Sequence, residues 1–279
     1  MNHLYIDKFN VKSNKQCGIF LLTHIHGDHI SKIPNAFKYT IHCSKDTKKM
    51  LSILRPSIKC KTLKINKPYK FQSNLIIIPL NANHMLGSLM FHITIDHRTI
   101  LYTGDFRYSQ HQKIPKANIV LYDNTFHTQT NLQMLSRKKS AYLLQSWIIK
   151  MLSKYDNCYI GIVHIGTMDL LSNINKFKYS IDTKNLSANN IKLLKHMYSD
   201  SIEHNSSIII TNGKKLKNRF PLIIPSAMWF SIRDHNKYIH DVIWDSNHKV
   251  YRLNYCQHST YSENLKLFEK VKFTQIIPC

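Results

Sequence analysis

The chain has 279 residues, enough for one large domain or two of medium size. A hydrophobic fraction of 43% is ordinary for a water-exposed fold. No stretch approaches the roughly 20 apolar residues of a membrane span, and residues 1–15 lack the apolar block of a signal peptide. Lys and Arg number 39 against 16 Asp and Glu, a net charge of +23 that attracts polyanions, nucleic acid first among them. Only seven of the 39 are Arg, and the abundance of Lys, Asn and Ile is also what AT-rich coding would give. The six cysteines (17, 43, 60, 158, 256, 279) form no C-x-x-C pair, which predicts reduced thiols inside a cell rather than a disulfide framework.

In chain order, Ile19–Leu22 is the first apolar run short enough for a buried strand. It leads into Thr23-His24-Ile25-His26-Gly27-Asp28-His29, three imidazoles and a carboxylate within six positions. A metal ion is the simplest reason to gather those groups so tightly. His24 and His26 can share one side of an extended loop, and Gly27 is expected to turn the backbone so that Asp28 and His29 face a second ion. Imidazole and carboxylate together suit zinc or a similar borderline ion.

A short helix is expected near 48–54 and a strand over 74–80, with His84 four residues beyond it. Two more strands, 99–102 and 119–122, end close to Asp105 and Asp123. Strand, loop, ligand is the arrangement already seen at 19–29, so one sheet edge would collect these groups. Helical spacing of Leu144, Trp147, Ile148, Met151 and Leu152 predicts a helix over 140–154. A strand follows at 159–163, a helix at 187–198, and strands at 207–211 and 221–224, within a Lys- and Asn-rich region. Near the end, Thr260-x-x-Glu263 is a capping box for a helix to about residue 270, with His258 just ahead of it.

Taken together, these segments resemble the metallo-β-lactamase/β-CASP nucleases, and in particular the DNA cross-link repair (Artemis-type) branch. The resemblance runs through Tyr5–Phe9, His24-x-His26-x-Asp28-His29, Cys43-Ser44-x-x-Thr47 and His84-x-x-Gly87-Ser88-x-Met90-Phe91. It continues through Leu101-Tyr102-Thr103-Gly104-Asp105-Phe106-Arg107, Tyr122–Phe126, Pro225–Trp229, Tyr255–Tyr261 and Gln275–Pro278. Departures are Met85 and Leu86 for the family's Cys and Pro, and a Val163–Met168 stretch without the family's Lys and Glu. Cys256 and Gln257 stand for its Ser and Glu, and its terminal Val would fall at or beyond Cys279.

The resemblance implies an α/β fold, an αββα metallo-β-lactamase sandwich from 1–131 and 233–279 with a smaller β-CASP cap over 132–232 that walls a basic cleft. It implies His24, His26, His84 and Asp105 on a first zinc, and Asp28 and His29 on a second ion (zinc, Mg or Mn), with Asp105 bridging. Asp28, Asp123 and His258 would be catalytic, Asp28 orienting the attacking water and Asp123 fixing the tautomer of His258; Ser259 and Arg107 would contact substrate, with a structural salt bridge an equal reading of Arg107. Lys48, Lys49, Lys138, Lys139, Lys214 and Lys215 could track a nucleic-acid backbone, though each is equally a solvated side chain. The implied activity is phosphodiester hydrolysis from a 5′ end in DNA repair, by a monomer in the nucleus acting on single-stranded DNA or DNA with a free 5′ end. Three alternatives stand beside it: an RNA-processing ribonuclease, a non-catalytic nucleic-acid-binding homologue, and a small-molecule thioester or lactam hydrolase.

Overall fold

The computed structural model describes residues 3–9, 18–162, 165–174, 176–213, 220–232 and 241–279. It divides into two compact units, Met1–Thr130 with Gln257–Cys279, and Asn131–Cys256. The expected return to the first unit at 233 lies outside the described residues, as do Val163, His164, Lys214 and Lys215.

The first unit opens with β1 (His3–Ile6), β2 (Gly18–Leu21), α1 (Gly27–Ile30), β3 (Ile41–Cys43), α2 (Lys45–Leu54) and β4 (Cys60–Thr62). It goes on with β5 (Tyr69–Gln72), β6 (Leu75–Asn81), β7 (Leu89–Ile95), β8 (Arg98–Tyr102) and β9 (Ile119–Tyr122). The second unit contains α3 (Arg137–Leu152), β10 (Cys158–Ile162), α4 (Asp169–Ser172), β11 (Ser180–Ile181), α5 (Ala188–Met197), β12 (Ile208–Asn212), β13 (Leu222–Pro225), α6 (Ala227–Ile232), β14 (Ile243–Asp245) and β15 (Val250–Leu253). The chain then returns to the first unit with α7 (Tyr261–Val271) and β16 (Gln275–Pro278).

Two sheets face each other in the first unit. One is the parallel set β1-β2-β3-β4; the other is six-stranded, β16-β9-β8-β7-β6-β5. Alternation along the strands assigns the layers. Ile19 and Leu21 of β2 meet Leu75 and Ile77 of β6 and Leu89, Phe91 and Ile93 of β7 in a core between the sheets. Leu80 and Met90 point the other way and pack with Leu267 and Val271 of α7. Phe20, one residue out of phase with Ile19, instead stacks with Tyr5 and Tyr39 and meets Phe37 edge to face. The result is an α/β sandwich, as the sequence predicts.

Polar side chains set the helix starts. Ser44, Ser136 and Ser187 each accept a bond from the backbone N–H three residues on, at the N-termini of α2, α3 and α5. Thr260 and Glu263 form the full reciprocal box at α7. Strand β7 has no counterpart in the predicted elements: lying inside the sheet, it is buried on both faces over Leu89–Ile93, where the run Leu89-Met90-Phe91 is apolar throughout and alternation is confined to Phe91–Ile95.

The second unit is built on a six-stranded sheet, β11-β12-β10-β13-β15-β14, parallel except for β14. Parallel pairing of β13 with β15 (Ile223↔Tyr251, Pro225↔Leu253) draws residues 243–253 into this sheet rather than into the sandwich. No helix among the described residues is long and apolar enough to cross a membrane.

Candidate metal centre

The loop after β2 carries the first two imidazoles, and its neighbours fix their tautomers. Asp7, at the end of β1, accepts bonds from the Thr23 N–H (2.8 Å) and the Thr23 hydroxyl (2.6 Å). With its proton committed to Asp7, the Thr23 oxygen is left to accept from His24 Nδ1 at 2.9 Å. His24 Nε2 therefore carries its lone pair outward. It is buried and has no hydrogen-bond partner among the described residues, as is true of His26 Nε2.

His84 comes from the β6–β7 loop. Its Nδ1 lies 3.0 Å from the Gln257 carbonyl, and the Gln257 side-chain amide donates back to the His84 carbonyl at 3.0 Å. Nδ1 donates to that carbonyl, so Nε2 is the nitrogen turned to the centre, 2.9 Å from His26 Nδ1. The loop can close this tightly because residue 87 is glycine. Gly87 has φ +76°, and a Cβ there would stand 2.7 Å from Ser44 Oγ and 2.9 Å from the Thr47 nitrogen.

Asp105 follows β8 after a second glycine turn, at Gly104 (φ +52°), where a Cβ would come within 3.0 Å of Thr23. One carboxylate oxygen, Oδ2, is 3.4 Å from His24 Nε2, 3.4 Å from His84 Nε2 and 3.6 Å from His29 Nε2. Those spacings are longer than hydrogen bonds. They match the separation of about 3.4 Å between donors that each sit 2.0–2.2 Å from a common tetrahedral ion. Ligand atoms of His24, His26, His84 and Asp105 all lie within 4.8 Å of one another. Burial first and His24 second push the His26 pKa down to about 2, and the same causes hold His84 well below its usual value. Burial raises the Asp105 carboxyl, but the His24 and His29 rings facing it outweigh burial and leave Asp105 acidic and charged. Imidazoles around an anionic carboxylate, with a buried nitrogen lacking a hydrogen-bond partner among the described residues, are a donor set that fits zinc or a similar divalent ion.

His29 and Asp28 sit at the rim, on α1. His29 Nδ1 is 2.9 Å from Asp7 Oδ2, which turns Nε2 towards Asp105. Burial lowers the His29 pKa, but Asp105 and Asp7 overcome it and lift it to about 10. The Asp28 side chain is 80% exposed, its Oδ2 3.7 Å from His29 Nε2, and it is outside the converging ligand groups. Gly27 begins α1 with an ordinary φ and open space where a Cβ would be, so the expected glycine turn is not what aims Asp28 and His29.

A second group of potential ligand atoms joins Asp105 to Asp123 and His258. Asp123 Oδ2 accepts from the Phe106 N–H at 2.9 Å and lies 2.8 Å from His258 Nδ1; Oδ1 accepts from the Thr125 N–H. Asn264 of α7 donates to the Asp123 carbonyl, tying helix and strand end together. Burial lowers the His258 pKa, yet the Asp123 bond and charge leave it raised.

Arg107 and Ser259, read from sequence as substrate contacts, have other partners. Arg107 is buried and donates to Glu263 (3.0 Å) and to the His258 carbonyl (3.2 Å). Ser259 is fully buried, donates its hydroxyl to the Phe106 carbonyl and accepts from the Tyr108 N–H. Both brace the segment that presents His258. Lys48, Lys49, Lys138 and Lys139 are exposed. Thr23, Gln257 and Thr125 were not singled out as site residues; of these, Gln257 carried a signal, since it departs from the resembling motif beside a candidate histidine.

No family model matches the chain. Its homologues are Artemis and Apollo proteins. It is 24% identical to the protein artemis of Homo sapiens over 92% of this chain and 45% of that protein. It is 25% identical to the protein artemis of Pongo abelii over the same shares. Against the 5′ exonuclease Apollo of Gallus gallus it is 27% identical over 60% of this chain and 37% of that protein. The chain thus spans less than half the length of these relatives. Among solved structures it is similar in fold to a protein of unknown function from Enterococcus faecalis V583, with a TM-score of 0.64 at 12% identity over 96% of this chain and 77% of that one.

Proposed function

We propose that this chain is a metal-dependent nuclease that hydrolyses phosphodiester bonds of DNA in a repair setting. The observation that carries the reading is the convergence of three imidazoles and one carboxylate, from three separate loops, beside the His258–Asp123 pair. His24, His26, His84 and Asp105 would hold zinc; Asp28 and His29 would hold a second ion (zinc, Mg or Mn) with Asp105 shared. A bound ion supplies charge neutralisation at the phosphate and lowers the pKa of its water towards about 7. The remaining work falls to the chain's own groups. Asp123 would accept from His258 Nδ1–H and hold the ring in place, and in its imidazolium form, which Asp123 favours, the ring would offer Nε2–H to a phosphoryl oxygen or protonate the departing oxygen. Asp28, exposed at the rim, would orient the attacking water and accept its proton. Arg107 and Ser259 would act by holding the 258–263 segment in place.

The same reading carries attack from a 5′ end, single-stranded DNA or DNA with a free 5′ end as substrate, the second unit as a β-CASP-type cap, and action as a monomer in the nucleus. The Artemis and Apollo relatives support it, and so does the +23 charge, which suits a polyanionic substrate.

The test is digestion of matched 5′-phosphorylated, 5′-hydroxyl and hairpin substrates, in DNA and in RNA, with zinc and with chelator. Asp105→Ala should abolish cleavage while leaving salt-sensitive DNA binding largely in place. Undiminished cleavage by that variant rejects the ion assignment, and preference for RNA moves the chain to the ribonuclease reading.

A further inference from the structure

The second unit holds a cavity of about 440 Å³ that the hydrolytic centre does not use. Its wall is formed by Trp147 and Lys150 on α3, by Lys154 and Tyr155 just past the end of that helix, and by Tyr251 and Asp241. The rings continue beyond it. Tyr155 stands 5.2 Å from Phe220, Phe220 5.7 Å from Trp244, Trp244 5.0 Å from Tyr251, and Tyr251 5.4 Å from Trp147. Three of these rings are strongly exposed for their size: Tyr155 at 39%, Phe220 at 45% and Trp244 at 43%. Tyr155 and Phe220 lie just ahead of β10 and β13, and Tyr251 is near the start of β15. The cluster therefore occupies the edge of the sheet where its parallel strands begin, opposite the Pro225–Trp229 segment that follows β13.

The wall offers aromatic faces for stacking, one carboxylate acceptor and two ammonium groups. A nucleotide presents the complement: a π-face, amino and carbonyl edges, and a phosphate. The cavity volume also falls within the range of small-ligand sites.

We infer that this cavity and its aromatic rim form an accessory site for single-stranded nucleic acid, in which bases stack on individual exposed rings, Tyr155 first, which stand edge to face with their neighbours, while Lys150 and Lys154 meet the adjoining phosphates. The inference rests on the proposed nucleic-acid substrate and adds to it a holding point remote in sequence from the ion ligands. Its use would be to keep a strand engaged between cuts.

The experiment is equilibrium binding of a fluorescent oligodeoxythymidylate, about 20 nucleotides long so that it spans several stacking positions, to the full chain in chelator, across a salt series. The double variant Lys150→Glu/Lys154→Glu changes two exposed side chains and should bind about tenfold more weakly. Its slope of log K against log salt should be shallower by about 1.4, since each single-strand phosphate contact contributes about 0.7. Tyr155→Ala should weaken binding about fivefold or more through lost stacking, with the slope unchanged. Wild-type affinity and slope in both variants overturn the inference and reassign the face to a protein partner. The outcome is separable from the nuclease reading: wild-type protein that cuts DNA while both variants bind normally removes this site alone, and weakened binding by the variants sustains it whether or not zinc-loaded protein cuts.

Discussion

The two halves of the ion-binding surface are built differently. In the inner half, the outward-facing nitrogen of each anchored histidine is already assigned: His24 through Thr23 to Asp7, and His84 through the Gln257 carbonyl. In the outer half, His29 is anchored to Asp7 in the same way, but Asp28 is 80% exposed and its nearest named partner is His29 at 3.7 Å. The difference teaches that a first ion would meet donors held in place by burial, whereas a second would have to collect a solvent-exposed carboxylate and meet its ordering cost on arrival.

The sharpest way to break this contrast is to remove an inner donor. His84→Ala should lower affinity for the first zinc on the order of several hundredfold, one donor's share of the roughly 10–16 kcal/mol typical of four-donor zinc sites. Metal analysis of purified protein would then find well under one zinc per chain; a full equivalent would mean that His84 is not a ligand. A smaller effect is expected one shell out. Thr23→Val keeps the volume but deletes the hydroxyl linking His24 to Asp7, and should weaken zinc about 10- to 100-fold in a competition titration against a chelating dye. Affinity equal to the parent's would show that the loop backbone alone aims His24. The smallest effect on the first ion belongs to Asp28→Asn, within about threefold, because an exposed side chain adds little to a site formed without it. Cleavage by that variant should nevertheless fall by more than tenfold. Equal loss of zinc and of cleavage would erase the distinction between the halves.

Much of this centre was legible in the residues because the chemistry is local. His24 and His26 share a loop, Asp105 and Asp123 each follow a strand, and Thr260 and Glu263 announce the helix behind His258. What stayed hidden depends on contacts between distant segments. The pairing of β13 with β15 leaves no periodic mark in either strand, and the second unit runs to Cys256, beyond the residue 232 at which the resemblance would end it. Arg107 reads from sequence equally as a phosphate ligand or a structural salt bridge, and its bonds to Glu263 and the His258 carbonyl, about 150 residues away, give it the bracing partners. Gln257 reads as a loss when set beside the resembling motif. In three dimensions its backbone carbonyl and side-chain amide clasp His84 from both sides, and an amide serves that purpose where a carboxylate has no proton to give.

Asp7 gives the centre a single keystone. With φ at +52° it turns out of β1 so that one carboxylate reaches both Thr23 and His29, and through them the deep and the shallow ends of the same basin. The carboxylate is already held by both partners, so Asp7→Ala would loosen the His24 and His29 rings together, and one side chain at the end of a four-residue strand sets the aim of two rings that sit on different elements.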